Sequence, residues 1–104
     1  LKLYELGAKA HMTSDANVWP QLHNQLYNDF IKGNMNAAKQ IQKTIRDISE
    51  KMPKTENGEN CVVEKFILSE LEICKKYVNP SYQLLSKIDE ERIKQWMKST
   101  SLFQ

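Results

Sequence analysis

The sequence predicts an all-α fold, an antiparallel bundle or irregular domain of four to five helices. Three observations predict it. First, Ala38, Ile41, Ile45, Ile48 and Met52 step by three and four through an otherwise polar segment, the spacing of one buried helix face. Second, two further segments repeat the pattern less regularly. Third, only three Gly and three Pro interrupt 104 residues, which favours long regular elements over an all-β fold. The length suits a single helical domain, 1–104. With 40% apolar and 27% charged residues the composition is that of a globular chain rather than a disordered one.

The elements follow in order. Leu3, Leu6 and Ala10 lie at helical spacing, so Leu1–Ala10 reads as a short helix with Gly7 as its weak point, although Lys9–Thr13 could instead be a short strand. The chain opens on Leu1, not Met, which reads as a fragment or a processed form. His11-Met12 is a dipeptide that cloning sites often leave behind, which makes vector-derived residues within 1–12 one reading of this stretch. Thr13–Asn17 is rich in N-cap types, and a helix should start near Val18 with Pro20 in its first turn, where a missing N–H costs nothing. Leu22, Leu26 and Phe30 step by four along it, and Trp19 and Tyr27 widen the stripe. Gly33 can close that helix left-handed. The loop Gly33–Asn36 is short, so the next helix should return antiparallel.

Asn36 is the expected cap of the regular helix, which runs to about Met52 and is stopped by Pro53. The polar loop Pro53–Asn60 follows, with Asn57-Gly58 as its turn. Cys61–Val78 reads as one helix with Val63, Phe66, Ile67, Leu71, Cys74 and Val78 inward, ended by Asn79-Pro80. In the connector Ser81–Lys87, Tyr82, Leu84 and Leu85 are expected to pack down. Ser86 or Asp89 should cap a last helix whose apolar side is Ile93, Trp96 and Met97. Glu90 and Glu91 near its start and Lys94 and Lys98 later on suit the helix dipole.

Several chemistries are excluded. There is no CxxC, HExxH or acidic EF-hand loop, and His11 and His23 show no ligand spacing. The glycines of a P-loop or dinucleotide fingerprint are missing. Cys61 and Cys74, thirteen residues apart on one helix, would stand roughly 20 Å apart, far beyond the about 4–7 Å of a disulfide. Both read as buried small hydrophobes, and free thiols suit a reducing compartment. As a nucleophile, Cys74 would have Lys75 and Lys76 beside it, but adjacent residues diverge on a helix. Asp89-Glu90-Glu91 reads as a solvated helix start rather than a paired-carboxylate site. A net charge of +2, with Asp47 and Glu50 following Lys39, Lys43 and Arg46, gives no footprint for nucleic acid. No apolar run approaches the about 18 residues of a membrane span.

What remains is aromatic. Trp19, His23 and Tyr27 form a row at one-turn spacing, and Trp96, Leu102 and Phe103 lie at a helix end and the end of the chain. Aromatic anchors are enriched in binding hot spots. The expected function is therefore a non-catalytic module acting through protein–protein interaction, an adaptor, scaffold or regulatory domain. Its expected partner is another protein presenting a peptide or helix, and its partner-binding residues are those six. No catalytic, cofactor or metal residue is assigned, and enzymatic activity is not expected of this chain alone. The expected location is intracellular, cytoplasmic or nuclear.

One family pattern runs alongside. Gly7-Ala8-Lys9, Asn17-Val18, Pro20, Leu26-Tyr27, Phe30, Gly33 and Ala38, then Tyr77-Val78-Asn79-Pro80 and 84–93 (LLSKIDEERI), fall in an order and spacing that resembles the C-terminal part of the dihydrodipicolinate synthase / N-acetylneuraminate lyase family. The resemblance implies a last barrel strand, an eighth helix and a helical extension of a class I aldolase acting on pyruvate through a Schiff base. The family's lysine, tyrosine and carboxylate-binding loop would lie upstream, so no residue here takes those roles. Ala10-His11-Met12 and the single Pro80 depart from the pattern. This gives the alternative expectation, a C-terminal segment of such an enzyme.

Overall fold

A computed structural model describes residues 1–55 and 59–103. It is all-α: α1 (Lys2–Glu5), α2 (Pro20–Ile31), α3 (Met35–Lys51), α4 (Asn60–Glu70) and α5 (Lys87–Ser99), with 3₁₀ turns at Ser14–Asn17 and Ser101–Phe103 and no strand among the described residues. The chain divides into two compact units, Leu1–Lys51 and Met52–Gln104.

The first unit is built on the α2–α3 hairpin. Pro20 opens α2 at its first turn, where no N–H is needed. Its end is a Schellman motif: Gly33 takes φ +77°, its N–H bonds Phe30 O at 3.0 Å, and Asn34 N–H bonds Asp29 O at 2.8 Å. The next helix begins at Met35, one residue before the expected cap Asn36. Asn34 takes the capping place instead, its carbonyl accepting Ala38 N–H at 3.0 Å. Leu26, Ala38 and Ile45 form the core between the helices, with Leu1, Leu22 and Ile41 packed against it. Ile48 is buried as well, and so is Met52, the first residue of the second unit.

The start of the chain departs from expectation. The helix expected over Leu1–Ala10 is only α1, because Gly7 takes φ +98° and closes a second Schellman motif: Gly7 N–H bonds Tyr4 O and Ala8 N–H bonds Leu3 O. Lys9–Thr13 is irregular rather than a strand. The cap-rich Ser14–Asn17 does not lead directly into α2 but forms its own 3₁₀ turn.

In the second unit Val62, Val63, Phe66 and Ile67 of α4 and Ile93 of α5 are buried. The helix expected over Cys61–Val78 stops at Glu70. Glu72 takes φ 59°, its N–H bonds Ser69 O and Ile73 N–H bonds Leu68 O, a third Schellman motif and the one without glycine. Cys74 therefore lies beyond the helix. Both cysteines are free, Cys61 exposed and Cys74 half-buried, so Cys61 is not the buried hydrophobe expected. The connector after α4 carries no regular element, and Tyr82 and Leu84 are exposed rather than packed down. Ser86 caps α5, its hydroxyl accepting Asp89 N–H at 3.1 Å. The Asn57-Gly58 turn lies outside the described residues.

Candidate functional sites in each unit

The first unit holds a polar chain beside an apolar pocket of about 240 Å³. Tyr4, on α1, is buried between α2 aromatics, stacked on Phe30 at 5.3 Å and tilted against Tyr27 at 5.6 Å. Its hydroxyl bonds His11 Nδ1. His11 Nε2 lies 3.1 Å from His23 Nδ1. His23 Nε2 lies 3.2 Å from Asp15 Oδ2, within range of charge attraction but off the line of a hydrogen bond. Asp15 also takes the Trp19 indole N–H on Oδ2 at 3.2 Å and the Thr13 hydroxyl on Oδ1. Leu26 and Ile45 line the pocket beneath.

This setting moves the titrations. His11 presents its ring nitrogens to Tyr4 and His23; burial of the ring, then the charge of His23, holds it below the usual histidine range against the smaller pull of Asp15. Burial by itself would raise Asp15, but the Thr13 hydroxyl, His23 and Trp19 together bring it below the usual aspartate range. Burial, then the neighbouring Tyr27, raises the Tyr4 phenol.

The second unit holds an open groove of about 570 Å³, with Val62, Leu84, Leu85 and Ile88 on its apolar side and Lys54 and Arg92 among its polar residues. Ile88 is 76% exposed. Ile73, Tyr77 and Tyr82 on the same connector are exposed as well. Behind Leu84 and Leu85 a Lys76–Glu90 ion pair at 2.6 Å ties the connector to α5. The Glu90 hydrogen bond raises the Lys76 ammonium above its usual range.

The six residues expected to meet a partner fall into two groups. Trp19 is 3% exposed and hydrogen-bonded to Asp15, which makes it a core residue with no ring face to offer. The side chain of His23 is 11% exposed and belongs to the polar chain. Tyr27 is partly open and leans on Tyr4. In the second unit Phe103 folds back edge-on to Trp96 at 5.9 Å, and Trp96, Leu102 and Phe103 are all half-buried. The meeting of His11 with His23 was missed because their spacing fits no helix face; the turn at Gly7 and the 3₁₀ turn create it. Among the described residues no group of three or more His, Cys, Asp or Glu is placed to hold a metal ion. No described helix is long and apolar enough to cross a membrane.

No protein-family model, curated protein or solved structure matches the chain. The aldolase resemblance therefore rests on the residue pattern alone.

Proposed function

We propose that the chain is a protein-binding module that takes an apolar peptide or helix into the groove of its second unit. The observation that carries this is that two exposed large apolar side chains, Leu84 and Ile88, stand with Val62 and Leu85 on the apolar side of one groove. Exposed apolar residues grouped in a groove with polar neighbours suit an interaction site, whereas isolated ones are ordinary. The capped start of α5 and the Lys76–Glu90 pair hold the groove wall in place, which lowers the ordering cost of binding. The partner class is the one expected from the sequence. The contact residues change from the aromatic row to Leu84 and Ile88. An intracellular setting fits two thiols left unpaired.

Selection of binders from a random peptide library tests the proposal. Selected peptides should carry spaced apolar anchors and shift the amide resonances of 83–92. Ile88→Asp should weaken their binding by at least about tenfold, the scale of one buried anchor, with far-UV circular dichroism unchanged. Peptides that bind Ile88→Asp as well as the parent, or that shift resonances elsewhere, would overturn it.

A further inference from the structure

The hydrogen bonds around His11 and His23 constrain where protons can sit. With both imidazoles neutral, one arrangement meets every contact. Tyr4 O–H donates to His11 Nδ1, His11 Nε2–H donates to His23 Nδ1, and His23 Nε2–H faces the Asp15 carboxylate. The reverse polarity would set a lone pair of His23 against that carboxylate. One added proton is also accommodated. His23 then carries both N–H groups, donating Nδ1–H to His11 Nε2 and facing Asp15 with Nε2–H, while His11 turns its remaining proton to Nδ1 and donates to Tyr4. A second proton has no place. It sets His11 Nε2–H against His23 Nδ1–H across 3.1 Å, with the ring centroids 5.3 Å apart and so nearly in line.

We propose that His11 and His23 form a proton-counting latch that holds residues 8–13 against α2, tolerates one added proton and opens on the second. Residues 8–13 form the irregular stretch between the closing turn of α1 and the first 3₁₀ turn, bounded by Ala8 N–H to Leu3 O at 3.0 Å and Ala16 N–H to Thr13 O at 3.3 Å. Side chains, not a backbone ladder, secure it. Tyr4 stays anchored on Phe30 when the latch opens, so the release is local and uncovers the pocket floor at Leu26 and Ile45.

The other titratable groups around the pair fit this order of events. Among the described residues the carboxylate in contact with the pair is that of Asp15 on the 3₁₀ turn, and it lies against His23 Nε2 at 3.2 Å. Tyr4 on α1 is neutral through the acid range, and Tyr27 on α2, also neutral there, leans on Tyr4. The Leu1 nitrogen beside the pocket is bonded to Gln42 Oε1 at 2.7 Å. From α3 only Gln42 and Ile45 line the pocket, and neither titrates. Two like charges in contact resist the second protonation, and coupled groups of this kind titrate in separated steps.

The test is an NMR pH titration of the whole chain, following the imidazole Cε1 protons, the amides of 8–13 and the cross-ring contact between His11 and His23. The expected result is two steps about one pH unit or more apart. The cross-ring contact should survive the first step and vanish with the second, when the 8–13 amides shift. In His11→Gln a single step should remain, and the 8–13 amides should no longer follow pH. A cross-ring contact that persists with both imidazoles protonated would overturn the proposal. So would a His23 titration identical in the parent and in His11→Gln.

Discussion

Trp19 donates its indole N–H to Asp15 Oδ2 across 3.2 Å, from a position with almost no solvent exposure. The bond spans one turn of chain, and Val18 N–H and Trp19 N–H also bond the Asp15 carbonyl, at 3.0 and 3.1 Å. Indole and carboxylate together fix the entry into α2. Trp19→Ala removes a large buried ring and leaves Asp15 without one donor. It should cost about 3–5 kcal/mol, the range for emptying an aromatic core site. Trp19→Phe keeps most of the volume and should cost clearly less. Urea unfolding by far-UV circular dichroism measures both. An unchanged midpoint for Trp19→Ala would return Trp19 to the surface role expected from the sequence.

The depressed titrations of His11 and Asp15 both make the fold weaker in acid. Each group binds its proton at a higher pH in the unfolded chain than in the folded one. The unfolded state therefore holds more protons, and stability falls as pH falls. For His11 the loss begins below its ordinary value of 6.5 and continues down to its lowered folded value. For Asp15 the stabilisation is complete above 3.8 and is lost as pH falls through its lowered folded value. Urea midpoints should thus decline in two stages on acidification. His11→Gln should flatten the upper stage and Asp15→Asn the lower one. A midpoint that rises between pH 7 and pH 5 would contradict the His11 assignment, and one that rises as pH falls below 3.8 would contradict that of Asp15.

The helices were legible where apolar spacing and punctuation agreed. The Ala38–Met52 stripe, Gly33 as a left-handed stop and Pro20 in a first turn all depend on local backbone preference, and each is found. The Tyr4–His11–His23–Asp15 chain was not legible, because it depends on two reversals in a short stretch that bring His11 back to α2. The one-turn spacing of Trp19, His23 and Tyr27 does not say which of them faces water. Asp15 draws Trp19 and His23 inward while Tyr27 stays partly open. The end of α4 departs furthest from the sequence pattern. Apolar residues continue at helical spacing through Leu71, Cys74 and Val78, but the backbone turns left-handed at a residue that gives no such signal.

That residue, Glu72, supplies the clearest test of how α4 ends. An L-residue in the left-handed region bears a cost of roughly 1–2 kcal/mol that glycine escapes. Glycine adds back about 0.4–1 kcal/mol through the greater freedom of the unfolded chain. The Glu72 side chain stands in solvent, so its removal sacrifices no packing. Glu72→Gly should therefore stabilise the protein by about 0.5–1 kcal/mol. Glu72→Val should destabilise it, because a β-branched side chain fits φ 59° worst. The opposite order would arise if the helix continued toward Val78, since glycine inside a helix costs about 1 kcal/mol and valine less. The sign of the difference between the two variants in a urea melt thus separates a left-handed stop at Glu72 from a continuous helix.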